Sequence, residues 1–412
     1  MIRNATSSPP AVLLTGAGAG IGRATALRLA RAGWHCVLVD ADAGALQRLR
    51  SAWPADAIPP LGLVADLTDA AQIEALARDV PQLDALINNA GLSAGGADAL
   101  SEDAAVARLL ALNLAAPARL VQACTPRLRS GARIVNVASG AGLRAIPWRG
   151  LYSPSKAGVI AQTQALARAR PDWTVTALSP GFVRTELVQR LIESERLDPT
   201  RAVAKIPLGR MAEPEDMAEA LCFLASPGAR VLSGQLLVLD GGSSVYGGSE
   251  ALPPAERPTL DSQLPLALRC ADVQAPGWRE ALAAWAPERE RANAYPAVLD
   301  GAALEAAPGN MLETVRRSAR RFCASHDAQA SLTLLLPAAA PDLAWELAGD
   351  AAAARMLVAT LAAEWGKRGL RVNALEIARG SAPADCLPLL DYVMGARAQF
   401  LTGQVLRPGA GH

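Results

Sequence analysis

The chain has 412 residues, 51% of them hydrophobic and 19% charged, and a formal net charge of +1. That length exceeds the usual single domain, and the apolar content excludes a disordered chain. Near-neutral charge gives no electrostatic reason to expect nucleic acid or an anionic membrane surface as a partner.

Residues 1–10 are polar and lack the apolar core of a signal peptide, and no apolar run reaches bilayer-spanning length, so no membrane partner and a cytoplasmic location are expected. The six cysteines are scattered without a C-x-x-C pair, which predicts reduced thiols and no bound metal.

The first apolar run, Ala11-Val12-Leu13-Leu14, enters Thr15-Gly16-Ala17-Gly18-Ala19-Gly20-Ile21-Gly22 and then an amphipathic stretch. This reads as strand, glycine turn and helix. Glycines let backbone approach a pyrophosphate, and the helix N-terminus offers it free N–H groups. Gly16, Gly18, Ala19, Gly20, Ile21 and Gly22 are therefore candidate cofactor contacts.

A second strand, residues 34–39, ends at Asp40. A carboxylate there accepts hydrogen bonds from adenosine ribose hydroxyls and repels a 2′-phosphate, favouring NAD(H) over NADP(H). Asp42 is the alternative for that role, and an Asp that merely opens the loop is the structural one. A third strand leads to Asp66-Leu67, whose Asp would meet the adenine amine, and a fourth is closed by Asn88-Asn89-Ala90-Gly91. Alternating strands and helices of this kind specify a doubly wound, Rossmann-like parallel sheet.

Further on stands Tyr152-Ser153-Pro154-Ser155-Lys156, in a chain with only 4 tyrosines. On a helix, positions i and i+4 share a face, so phenol and ammonium would point the same way. A nearby ammonium favours the phenolate and draws the tyrosine pKa toward working pH. Pro154 is tolerated if the helix starts there.

Together these motifs resemble the short-chain dehydrogenase/reductase family, in its order, from about residue 11 to residue 242. The resemblance covers the Thr15–Gly22 turn, Asp66-Leu67, Asn89-Ala90-Gly91, Asn113, Ser139, Tyr152 and Lys156. It extends to Pro180-Gly181-Phe182-Val183-Arg184-Thr185 and to the closing strand before Asp240-Gly241-Gly242. It implies Tyr152 as acid/base and Lys156 as its electrostatic support and a ribose ligand. It further implies Ser139 as hydrogen-bond donor to the substrate oxygen and Asn113 as anchor of a relay water. Pro180, Gly181, Val183 and Thr185 would close on the nicotinamide. The residues themselves leave open that Ser139 is a turn residue and Asn113 a helix residue bonded to backbone.

Leu187, Val188, Leu191, Ile192, Val203 and Ile206 make residues 182–211 an apolar lid. By analogy Ser93, Ala94, Gly140, Ala141, Leu143 and Trp148 face the substrate, while Arg144, Arg149 and Arg184 read as solvated. The expected reaction interconverts a secondary alcohol and a ketone. A 3-oxoacyl thioester reductase is the enzyme alternative, and a non-catalytic NAD-binding scaffold the alternative of another class.

Domain limits are expected at 1–248 (catalytic), 249–265 (a Gly/Pro/Ser-rich linker) and 266–412. In the last part Arg371-Val372-Asn373-Ala374-Leu375 echoes residues 174–178, and Leu401-Thr402-Gly403-Gln404 echoes Leu232-Ser233-Gly234-Gln235. Asn310 would echo Asn113. Leu347, Ala351 and Pro337 fall at the Tyr, Lys and Ser positions, no glycine turn exists, and the chain looks too short for the first three strands. The expectation is a truncated, silent α/β repeat. It would pack on the first half as a built-in pseudo-subunit, through the long helices and the final strand, with a homodimer then forming a pseudo-tetramer.

Overall fold

The computed structural model describes residues 8–93, 100, 104–147, 149–195, 197–275, 277–285, 293–307, 309–338 and 345–409. Ala94 and Trp148 lie outside the described residues.

The first half runs β1 (Ala11–Thr15), α1 (Gly20–Arg31), β2 (His35–Asp40), α2 (Ala43–Ser51), β3 (Leu61–Val64), α3 (Ala70–Asp79) and β4 (Leu83–Asn88). It continues with α4 (Ala104–Leu110), a π-turn over Ala111–Ala115, α5 (Ala116–Cys124), β5 (Leu128–Val137), α6 (Tyr152–Ala169) and β6 (Thr174–Pro180). Then come α7 (Glu186–Glu193), α8 (Pro199–Val203), α9 (Pro214–Leu224) and β7 (Leu236–Leu239). The seven strands are parallel in the order β3-β2-β1-β4-β5-β6-β7, with the chain reversing direction across the sheet at β1/β4. In such a sheet, ligands bind beyond the carboxyl ends of the strands at that reversal. Side-chain caps set the helix starts, with Asp42, Asp69, Thr185 and Asp198 each accepting an N–H of the first turn. Pro154 sits in the first turn of α6, where its missing N–H costs nothing.

The second half runs β8 (Leu266–Ala271), α10 (Trp278–Trp285), β9 (Tyr295–Asp300), α11 (Met311–Ser325), β10 (Ser331–Pro337), α12 (Trp345–Trp365), β11 (Arg371–Ile377), α13 (Pro383–Met394) and β12 (Val405–Leu406). Its five parallel strands are ordered β12-β11-β10-β9-β8. Of the first three strands judged missing, one is therefore present. β8 pairs with β9 as β1 pairs with β4, and among the described residues only the counterparts of β2 and β3 are absent. The first half's glycine turn had been the marker for β1, and β8 carries none. Asn310 does not echo Asn113: it stands exposed at the start of α11, whereas Asn113 is buried within a continuous helix.

The two halves share one apolar core. The Phe223 ring of α9 stacks on Tyr392 of α13 at 4.4 Å, and Gly241 donates its N–H to Phe400 O at 3.2 Å. Buried Glu219 accepts from Arg28 (2.6 Å) and from Ser262 (3.1 Å) and Gln263 (2.8 Å) ahead of β8. The halves thus meet through α9, α13 and the ends of the closing strands, not through the long helices. Helices α5 and α6 instead border an open apolar groove of about 290 Å³ lined by residues of the first half such as Pro117, Val121 and Leu166.

The expectation that no run reaches membrane-spanning length is corrected. The helix Ala104–Arg127, with a mean hydropathy of 1.4, passes on length and composition alone. Its Leu109, Leu120 and Cys124 are buried in the first half.

Candidate active site

At the carboxyl ends of β1, β4, β5 and β6 lies a cleft of about 520 Å³. Its floor is the glycine turn. Gly16 and Gly20 adopt left-handed backbone, at φ 63° and 50°, which glycine takes without strain. A Cβ on Gly22 would fall 1.9 Å from Gly16 O, so only glycine lets α1 start this close to the turn. Thr15 Oγ1 accepts the N–H groups of Asn89 and Ala90, both at 3.0 Å. Asn89 Nδ2 returns hydrogen bonds to Thr15 O and Gly16 O at 3.0 and 3.1 Å. The cradle is thereby tied to the end of β4.

Asp40 faces the same cleft, accepting Gly18 N–H at 2.8 Å and Asp42 N–H at 3.0 Å. Asp42, the alternative, does not belong to the lining of this cleft. Its carboxylate caps α2 through Ala45 N–H at 3.0 Å and lies 3.5 Å from Arg48. Asp66 lines the cleft with Leu67. Hydrogen bonds from the Thr68 N–H and hydroxyl, and then the Arg108 guanidinium at 2.9 Å, hold its carboxyl below the ordinary range.

Tyr152 opens α6 and Lys156 follows one turn later, with Nζ 6.0 Å from the phenol ring centroid. Both line the cleft beside Ser139. Lys156 is buried, donates to Val137 O at 2.8 Å, and is pushed down to about 8 by desolvation. Ser139 Oγ accepts Ala141 N–H at 3.2 Å, which leaves its own O–H free for another acceptor. Gly91 makes room for two groups at once. A Cβ there would stand 3.3 Å from Asn113 Oδ1 and 3.5 Å from Lys156 Nζ. The Asn113 amide grips Leu92 at both ends, accepting its N–H at 2.7 Å and donating to its carbonyl at 2.8 Å.

Of the residues singled out in the sequence, Gly16, Ala19, Gly20, Ile21, Asp40, Asp66 and Leu67 line the cleft along the glycine turn and past the ends of β2 and β3. Asn89, Ala90, Gly91, Ser139, Tyr152, Lys156, Pro180, Gly181, Val183 and Thr185 line the remainder. Gly18, Gly22 and Asn113 do not belong to the lining and act through contacts behind it. Arg149 donates to Ser93 Oγ at 3.1 Å, and Arg184 lies 3.3 Å from Glu213. Arg144 is held by the carbonyls of Ser243 and Ser244.

The sequence reading missed Arg108 and Glu186, both on the cleft wall. A signal existed for Glu186, since an acid directly after the capping Thr185 is placed by the helix start at the mouth of the site.

The family model described as "Enoyl-(Acyl carrier protein) reductase" matches residues 16–244. A 3-oxoacyl-[acyl-carrier-protein] reductase of Thermotoga maritima is 33% identical over 56% of this chain and 96% of its own length. An uncharacterized short-chain type dehydrogenase/reductase of Sinorhizobium fredii is 38% identical over 56% of this chain, which spans only 43% of that protein. Among solved structures, a putative NAD(P)-dependent gluconate 5-dehydrogenase from Beutenbergia cavernae with bound NADP at low occupancy is 31% identical. It covers 57% of this chain and 97% of its own at a TM-score of 0.53. Levodione reductase matches at the same TM-score of 0.53 with 29% identity, over 57% of this chain and 98% of its own.

Proposed function

The chain belongs to the short-chain dehydrogenase/reductase family, and from that premise we propose that it interconverts a secondary alcohol and a ketone with NAD(H) in preference to NADP(H). The observation that carries the reading is Tyr152 and buried Lys156 one helical turn apart, on one face, in a cleft floored by a glycine cradle.

The cradle fits a dinucleotide. Gly16, Gly20 and Gly22 leave backbone bare where any side chain would clash or strain, and α1 begins at that spot. Asp40 would take the adenosine ribose hydroxyls, and its charge disfavours a 2′-phosphate. When bound, the nicotinamide supplies or accepts the hydride. The protein's part is proton handling and orientation. In the reductive direction Tyr152 gives its phenolic proton to the substrate oxygen as charge develops there. Lys156 has donors left beyond Val137 O, and its ammonium stabilises the phenolate that remains. Ser139 O–H aims at the same oxygen. Asn113 Oδ1 keeps one lone pair for a water beside Lys156, through which the proton is replaced.

Five of the eight exposed large hydrophobics among the described residues follow β4, β5 and β6: Leu92, Leu143, Ile146, Phe182 and Leu187. An apolar rim there favours a ketone with a bulky apolar group. It keeps the 3-oxoacyl thioester reading as second choice. The non-catalytic scaffold reading has no use for the Tyr152, Lys156 and Ser139 grouping. The second half acts as a covalent pseudo-subunit, and the open α5–α6 groove is the face for a homodimer, giving a pseudo-tetramer. Six unpaired thiols support a reducing, cytoplasmic setting.

The test is NADH and NADPH oxidation against a panel of apolar and polar ketones, with Tyr152→Phe alongside. Loss of about a hundred- to ten-thousandfold in kcat, with NADH affinity kept, is expected of Tyr152→Phe. An undiminished Tyr152→Phe rate would remove the proposed acid/base.

A further inference from the structure

One contact in the cleft has no part in the chemistry above. The Glu186 carboxylate, at the first residue of α7, reaches across to α1 and accepts the N–H of Gly20 at 3.0 Å. Its other oxygen lies 3.5 Å from Arg23 Nη2. These donors belong to the first turn of α1, where four backbone N–H groups have no helical partner and the helix dipole favours an anion. They are the donors a dinucleotide's diphosphate would seek.

The rest of α7 is loosely held. The helix has no buried residue, and Leu187 stands 49% exposed. Thr185 Oγ1 only caps the helix, and Gln189 pairs with Glu193 on the same helix. Among the described residues, Glu186 supplies the only side-chain hydrogen bond or ion pair from α7 to another element. The segment before it is anchored, with Arg184 N–H bonded to Ala212 O at 2.8 Å. Release of Glu186 therefore frees α7 while its root stays fixed.

We propose that Glu186 is an internal competitor for the diphosphate site, an affinity-setting residue that holds α7 against the cradle until a dinucleotide takes Gly20 N–H and Arg23 from it. The inference rests on the cofactor reading given above. Two anions at one helix start repel, so the diphosphate and the ionised Glu186 do not share these donors at equal cost. Binding then moves α7 away from the cradle. Cofactor occupancy and the position of the substrate lid are thereby coupled, and the coupling is reciprocal.

The experiment titrates NADH into the full-length protein and reads Kd by calorimetry, for the wild type, Glu186→Gln, Glu186→Ala and Glu193→Gln. Glu193 is an exposed carboxylate at the far end of the same helix and controls for general charge. Both Glu186 variants should bind NADH about tenfold more tightly, and Glu193→Gln should match the wild type. Hydrogen exchange over residues 186–193 without cofactor supplies a second readout. It should speed up in both Glu186 variants, and in the wild type on adding NADH. If the wild type binds NADH and the Glu186 variants bind no more tightly, the competitor role is overturned while the cofactor reading stands. If none of the four proteins binds NADH or NADPH, the cofactor reading itself falls and takes the competitor with it.

Discussion

The carboxyl ends of the two parallel sheets occupy equivalent places in the fold and hold different chemistry. The frame repeats bond for bond. Gly234 N–H donates to Val175 O at 2.7 Å, and Gly403 N–H to Val372 O at 2.8 Å. Val175 N–H meets Ser233 Oγ and Val372 N–H meets Thr402 Oγ1, each at 3.1 Å. Following the strand pairings across each sheet sets Gly16 against Asp272, Asn89 against Gly301 and Ser139 against Pro337. Asp272 retains the left-handed backbone of its counterpart, at φ 47° against 63°. The turn has survived and the cradle has not. Asp272 lies 2.6 Å from Arg321, which also reaches buried Asp300 at 3.1 Å, so an ion network occupies the place of a phosphate site. Helix α12 contains neither tyrosine nor lysine. Backbone frame and reactive groups are thus separable in this fold, and the second half keeps the part that packs.

What the frame is for can be tested by removing it. Helix α9 is buried along most of its length, partly by Tyr392 and by the chain around Ser262 and Gln263. Deleting residues 251–412 should leave a first half that aggregates or fails to fold, as judged by size-exclusion chromatography and circular dichroism. A well-behaved, fully active monomer would refute the pseudo-subunit.

A reciprocal exchange sharpens the comparison at one position. Gly16→Asp copies the second half into the first, adding a negative charge beside the diphosphate and a Cβ 2.9 Å from Ala90 Cα. NADH affinity should fall on the order of a hundredfold, the scale of one unscreened like-charge contact in a partly buried site. Asp272→Gly should leave both the affinity and the single binding stoichiometry unchanged, because Gly301 offers no counterpart to the Asn89 amide that ties the first cradle down. A second equivalent of bound NADH in that variant would break the assignment of the second half as silent.

The cradle and the Tyr152–Lys156 pair were legible because each is local: glycine spacing dictates the turn, and i,i+4 spacing dictates a shared helix face. The missed features depend on contacts distant in sequence. Glu186 meets Gly20 across 166 positions: the Thr185 cap sets it at the start of α7, but the fold alone decides which group it reaches. Strand β8 was overlooked because its turn kept the backbone of Gly16 but not the residue. The contact between the halves was assigned to the long helices and the final strand; the ends of the closing strands do take part, but α9 and α13 stand in place of the long helices. An almost wholly buried helix has no amphipathic stripe to mark its partner.

The smallest effect predicted concerns a buried charge held by neutral groups, one in each half. In the second, buried Arg371 is held by Tyr295 and by backbone carbonyls such as Val393 O and Met394 O. In the first, buried Lys156 donates to Val137 O, and desolvation lowers it from 10.5 to about 8. Below pH 8 the folded and unfolded chains both carry this proton, and the whole penalty, roughly 3 kcal/mol, weighs on the fold. Between about 8 and 10.5 the unfolded chain holds a proton that the folded one has released, so rising pH favours the folded state. Lys156→Met fills the same space without the charge and gives up one hydrogen bond worth about 1 kcal/mol. At pH 7 and without cofactor the variant should therefore unfold later in urea, by roughly 2 kcal/mol, while losing its activity. That advantage should shrink as the pH is raised from 8 toward 10.5. A pH-independent difference, or a variant less stable than the wild type at pH 7, would mean that Lys156 carries no desolvation cost in the fold.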